Sequence, residues 1–228
     1  MDGMTVFGPE RFSLIPDRNQ VFGWLGCGRD IPCRQAFERS WEPAAACLAE
    51  CMVPQAVIAR QEDGTLTVFL TLGPEPEERM SALFQRREYV TGSLLNTMSD
   101  ALLFQMDRQA ALLIGGMLRA ERLYIASRME PGTDLTADLQ REKLLPFREL
   151  LPFVRISETG VLFPTKSMMY VLTVSDEPCR LEALHDCSVC SQKNCPYRDS
   201  DAPVDRSPAA STAPRYANGA DAANPHGY

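Results

Sequence analysis

An α+β fold, an antiparallel sheet with long packed helices, is predicted by three observations. The runs QAVIAR and LTVFLTL flank the turn sequence EDGT, a long stretch from Thr91 to Arg119 carries apolar residues at helical spacing, and two further apolar runs, GVLFP and SMMYVLTV, come late in the chain. Strands joined by a short turn pair antiparallel, whereas each parallel neighbour needs a long crossover.

Taken in order, ERFSLIP reads as a short strand, and Asp17 can cap a short helix through NQVFGWLGCG, with glycines at its exit. A longer helix follows. Pro32 suits its first turn, Phe37, Trp41, Ala45, Leu48 and Met52 recur at helical spacing, and Cys47 and Cys51 stand four apart on it. Those two cysteines read as small buried hydrophobes rather than ligands, while Cys27 and Cys33 bracket a loop and are left undecided. QAVIAR and LTVFLTL form a β-hairpin around Asp63-Gly64. Glu75, Glu77 and Glu78 then read as a solvated helix start.

In the long helix, Leu95, Met98, Leu102, Met106, Leu113 and Met117 form one stripe, and Gly115-Gly116 marks close packing or a bend. Asp100 reads as a satisfied polar residue on the outer face of that helix. RLYIASR is a strand, PGTDLTADLQREKLLPFRELL breaks at Pro-Gly and resumes as a helix, and the late apolar pair completes the sheet.

The chain has 228 residues, 45% of them hydrophobic, enough for a substantial core. Three segments are expected: a folded domain over 1–176, a cysteine-rich extension over 177–198, and a disordered tail over 199–228. The tail holds eight Ala and four Pro, with Val204 its one branched aliphatic residue, too little apolar surface to offset its ordering entropy. A net charge of −7 without a basic run argues against nucleic acid. No apolar run approaches the roughly 20 residues that span a bilayer, and the N-terminus lacks a leader-like apolar core, so no membrane partner is expected and the location is read as cytoplasmic.

In a reducing compartment the eight cysteines read as thiols or metal ligands rather than a disulfide framework. Cys187, Cys190 and Cys195 fall within nine residues, and their C-x2-C pair lets two sulfurs reach one tetrahedral ion. Cys179 or His185 could complete a zinc site, with Cys179 the preferred fourth ligand, and three thiols with an open position would also suit an iron–sulfur cluster. Lys193 and Arg198 would depress the thiol pKa values. The only histidines are His185 and His226, which leaves little basis for a Ser-His or Cys-His nucleophile; no catalytic residue is assigned.

Two separated motifs carry a family resemblance. Arg128, Pro131 and Gly132, followed by Ser157-Glu158-Thr159 and then Phe163-Pro164 with Ser167, resemble the reactivation domain of cobalamin-dependent methionine synthase, which binds S-adenosylmethionine. The likeness extends over Arg18 to Arg198 and looks like the stand-alone, single-domain relatives of that domain. The family's tyrosine after the glycine is Thr133 here, which removes an aromatic face.

The resemblance implies an S-adenosylmethionine site at Arg128, Pro131, Gly132 and Thr133. An Arg fork suits the ligand's α-carboxylate, and a Pro-Gly turn lets a ligand approach the main chain closely. It also implies a role as activation component: S-adenosylmethionine is presented to a partner's cob(II)alamin while a flavodoxin-like donor supplies an electron. No Asp-x-His-x-x-Gly motif occurs, so the cobalamin is expected on a partner methyltransferase or corrinoid protein. Two other readings stand beside this one: a metal-bearing activator that uses the cysteine cluster, and an interaction module that has lost the ligand.

Overall fold

A computed structural model describes residues 3–27, 33–132 and 134–178, and singly 187, 195 and 197. The chain divides into two compact units, Met1–His185 and Asp186–Tyr228. In the second, only Cys187, Cys195 and Tyr197 are described; the expected disordered tail, and Cys179, His185 and Cys190 of the expected metal cluster, lie outside the described residues.

The first unit is α+β. Five strands, β1 (Met4–Phe7), β2 (Gln55–Arg60), β3 (Leu66–Thr71), β4 (Tyr124–Met129) and a last one, β7 (Ser167–Ser175), form an antiparallel sheet in the order β1-β2-β3-β7-β4. The β2–β3 hairpin closes as its sequence requires. Gln61 N donates to Thr65 O at 2.8 Å, and Gly64 takes a positive φ that a side chain would disfavour. β3 is buried at every position because it has a paired strand on each edge and a layer on each face.

Alternation along the strands separates the two faces. Ala56, Ile58, Val68, Leu70, Tyr170 and Leu172 face the helices α1 (Arg18–Trp24), α2 (Cys33–Cys51) and α4 (Tyr89–Ala120). Val57, Ala59, Phe69 and Met169 face Leu144, Phe147 and Leu151, which follow the short helix α5 (Ala137–Lys143). Each fully buried side chain of this kind contributes roughly 1.5–3 kcal/mol. Asp17 caps α1 as expected, accepting from Gln20 N at 2.7 Å, and the Phe22 and Trp41 rings meet edge-on at 5.5 Å to join α1 to α2. Cys51 is buried on α2, where desolvation, then the neighbouring Cys47 thiol, push its pKa up to about 11; it behaves as the hydrophobe expected.

Several expectations are corrected. ERFSLIP is not a strand: Pro9–Arg11 form a 3-10 turn, and the extended segment after it is bound by α4 side chains, Gln109 to both the N–H and C=O of Ser13 and Gln105 to those of Ile15. The edge strand is instead MTVF, which begins six residues before ERFSLIP. GVLFP does not join the main sheet. Its β6 (Leu162–Phe163) pairs with β5 (Arg155–Ile156) in a separate ribbon, and both edges of β7, the strand expected beside it, are taken by β3 and β4. Gly115-Gly116 is not a close-packing point: a Cβ on Gly116 would have nothing within 4 Å, and on Gly115 only the Arg119 side chain. Ile114 and Leu118 fill the core there, Met117 packs against it half-buried as expected, and Leu113 lies outside it.

Helix α3 (Glu75–Gln85) connects β3 to α4. Among the described residues no helix is long and apolar enough to cross a membrane.

Candidate functional site

β4 lies at the open edge of the sheet, and its antiparallel register, Arg128 opposite Leu172 and Met129 opposite Val171, directs the residues after it along the first residues of β7. The two sequence motifs, nearly 40 residues apart, therefore meet. Arg128 Nη2 stands 3.8 Å from Met168 Sδ, next to Ser167. Ser167 itself donates to Thr71 Oγ1 at 2.9 Å, which fixes the start of β7 on β3.

Beyond Met129 the chain turns. Glu130 C=O accepts from both Asp134 N and Leu135 N at 3.1 Å, and Gly132 takes φ +83 with nothing within 4 Å of the place a Cβ would occupy. That open side is what close main-chain approach requires. Thr133 lies outside the described residues, so its expected role has no structural counterpart here.

Arg128 is deeply buried, its side chain only 6% exposed. Nη1 donates to both Asp107 oxygens, at 3.2 and 3.0 Å, and the guanidinium carbon lies 3.7 Å from the centroid of the Tyr170 ring. Nε stands 2.7 Å from Glu130 Oε1, close enough for an ion pair but without hydrogen-bond alignment. The carboxylate partner expected for Arg128 was a ligand's; its contacts here are to the protein's own Asp107 and Glu130.

Burial, only partly offset by Arg128, raises the Asp107 pKa above the ordinary carboxylate value. Tyr170 is pushed well above the ordinary phenol value, by burial first and then by the Asp107 charge. Its buried hydroxyl makes no well-aligned hydrogen bond among the described residues, although it lies within the electrostatic reach of Asp107. A buried cluster of this composition is costly to assemble beside a hydrophobic sheet.

A second polar clamp holds the other motif. Lys166 Nζ, buried, donates to Asp100 Oδ1 at 2.6 Å and to Asn96 Oδ1 at 2.7 Å, and Thr165 N donates to Glu77 Oε2 at 2.7 Å. Two sequence expectations change. Asp100 is satisfied, but on the face toward β7 rather than the outer face, and Glu77 holds the turn before β7 instead of only water. On α4 the residues Asn96, Asp100 and Asp107 fall within about 40° of one another around the helix axis, so α4 presents a polar rail to β7 and β4.

The Ser157-Glu158-Thr159 motif forms the β5–β6 turn, with Ser157 Oγ accepting from Val161 N at 2.9 Å. Gly160, at φ +87, packs that turn on α5: a Cβ there would stand 3.0 Å from Gln140 Nε2 and 3.4 Å from Ala137 Cβ. Sequence reasoning missed Asp107, Glu130, Tyr170 and Lys166. The available signal was the spacing of Asn96, Asp100 and Asp107 on one face of a helix otherwise rich in Leu, Met and Ala.

Among the described residues no group of three His, Cys, Asp or Glu side chains is arranged to hold a metal ion. Cys187 and Cys195 are described singly, so the expected cluster with Cys179 and Cys190 is not assembled by the described residues.

No known family profile matches the chain, and no curated protein sequence matches it. Among solved structures, the crystal structure of the MetH reactivation domain bound to AdoHcy is similar over 79% of this chain and 81% of that one, at 11% identity and a TM-score of 0.45. A likeness that low shows neither family nor function; the fold class rests on the strands and helices described above.

Proposed function

We propose that this chain is a stand-alone activation component of a cobalamin-dependent methyltransferase of the methionine synthase kind, and that it binds S-adenosylmethionine at the end of β4. One observation carries the reading: two motifs far apart in sequence converge on one sheet edge, with Arg128 against Met168, around a buried ionic cluster and a glycine turn open on its outer side.

The donor set fits the ligand's chemistry. The partly exposed Glu130 carboxylate, the guanidinium behind it and the open main chain at Gly132 suit the charged amino-acid end of that ligand. When bound, S-adenosylmethionine supplies an electrophilic methyl group to the partner's corrinoid, and an external flavodoxin-like donor supplies the electron. In this chain Gly132 admits the ligand to the main chain, Arg128 and Glu130 orient its charges, and Lys166 with Asp100 holds the start of β7 in place.

Isothermal titration of the full chain with S-adenosylmethionine, alone and with a corrinoid-loaded methyltransferase, tests this. Binding in at least one mixture is expected, and Gly132→Ala should weaken it by roughly tenfold by filling the open side of the turn. Absence of heat in both mixtures, or indifference to Gly132→Ala, sinks the reading. A second reading, an interaction module without the ligand, is favoured by one fact: Arg128 already holds Asp107 and Glu130. The same titration decides between them.

A further inference from the structure

Two short turns, one from each sequence motif, are gripped by adjacent residues of α5. Gln140 Nε2 donates to Leu135 C=O at 3.3 Å, and Arg141 Nη1 donates to Ser157 C=O at 3.0 Å. Leu135 closes the Gly132 turn: its N–H donates to Glu130 C=O at 3.1 Å, and its main chain bridges to Pro131. Gln140 also lies against the other turn, since a Cβ on Gly160 would stand 3.0 Å from Nε2. One side-chain amide thus meets both turns.

Gln140 is only 3% exposed, and its Oε1 has no hydrogen-bond partner among the described residues. A buried acceptor left without a donor is costly, and Met would fill much the same volume without one. Packing alone therefore does not account for an amide at this position. The bond from Nε2 to the Gly132 turn does.

We propose that Gln140 is a positioning residue for the candidate site: its amide fixes the Gly132 turn against the β5–β6 turn, so that a ligand at the open side of Gly132 meets a main chain already set in place. The inference rests on the S-adenosylmethionine reading and adds to it a residue that acts from behind the turn. The turn's own closure, by Asp134 N and Leu135 N on Glu130 C=O, does not need Gln140. What Gln140 supplies is the placement of the closed turn, and placement acts on affinity through preorganisation rather than on global stability.

The full-length protein is titrated with S-adenosylmethionine as wild type, Gln140→Met and Gln140→Glu, and the urea midpoint of each is measured. Gln140→Met loses one long hydrogen bond and one unsatisfied acceptor together, so its midpoint should stay within about 0.5 M of wild type while its affinity falls roughly tenfold. Gln140→Glu keeps the shape but can donate to Leu135 C=O only when protonated, the form that burial favours. Its affinity relative to wild type should therefore recover as pH falls from about 8 to about 5. If wild type does not bind S-adenosylmethionine, that reading falls and this inference falls with it. If wild type binds, three results overturn this inference alone: unchanged affinity in Gln140→Met, a loss of affinity there matched by collapse of the urea midpoint, or a Gln140→Glu affinity ratio indifferent to pH.

Discussion

Removing the Asp107 carboxylate should cost far more than losing a surface ion pair. Its side chain is 4% exposed and that of Arg128 6%, with Nη1 at 3.0 and 3.2 Å from the two oxygens, so neither charge can turn to water if the other is deleted. Breaking a buried pair from one side costs about 3–5 kcal/mol, and Glu130 can compensate only in part because it already faces Nε. For a folded unit ending at His185, we expect Asp107→Ala to lower Tm by roughly 10 °C and to move the urea midpoint without changing the m-value. Arg128→Ala should cost a similar amount, since it leaves Asp107 buried without its cation. The double variant Asp107→Leu/Arg128→Met should fall within about 1 kcal/mol of wild type, because both desolvation penalties leave together. Urea denaturation of the four proteins, followed by far-UV circular dichroism, compares removal of one partner with apolar replacement of both. Single variants costing less than about 1 kcal/mol, or a double variant costing the sum of the singles, would refute the buried-pair account.

Two further outcomes follow from contacts outside the site. Burial works to raise the Asp63 pKa, but hydrogen bonds from Lys143 and Thr65 prevail and lower it from 3.8 to about 2. The stability it contributes is therefore complete above the unfolded value and is lost as pH falls through the window from 3.8 to about 2. Because Asp63 is about half exposed, we expect a gap of about 1 kcal/mol between wild type and Asp63→Asn at pH 6 that closes by about pH 2; urea midpoints against pH check it, and a gap independent of pH would exclude the linkage. Asp107 titrates with the opposite sign, its raised pKa favouring the folded state as pH falls, and it cancels in this comparison. Gly160→Ala should cost about 2 kcal/mol, through positive φ and contact with Gln140, whereas Gly132→Ala, with positive φ and open space, should cost about 1 kcal/mol. Equal losses in urea denaturation would show that packing of the β5–β6 turn on α5 contributes nothing.

The α+β class, the β2–β3 hairpin, the α1 cap and the long helix were all legible in the chain because each depends on neighbours in sequence. Asp-Gly sets a turn, Asp17 caps the next few residues, and a period of 3.6 marks a buried stripe. The errors share a cause as well. The segment after the 3-10 turn in ERFSLIP is held by Gln105 and Gln109, some 90 residues away, which bind the main chain of Ile15 and Ser13 in place of a strand partner. LF in GVLFP is diverted to a two-stranded ribbon, while SMMYVLTV takes the central place between β3 and β4.

The site divides in the same way. Arg128, Pro131, Gly132 and Ser167 could be singled out as residue types that suit a charged ligand and a tight turn. Whether Arg128 faces a ligand or a protein carboxylate depends on Asp107, 21 residues earlier, and on the sheet register that sets Tyr170 under its guanidinium.

By itself, then, the sequence determined the local elements, the strands and helices with their caps and turns, and the residues worth watching, since propensity and periodicity act over a few residues. The tertiary structure alone decided the strand order, the meeting of the two motifs at the β4 edge and the charge of the cluster there. Those depend on which distant side chains are buried together, where loss of water makes each ionic partner matter.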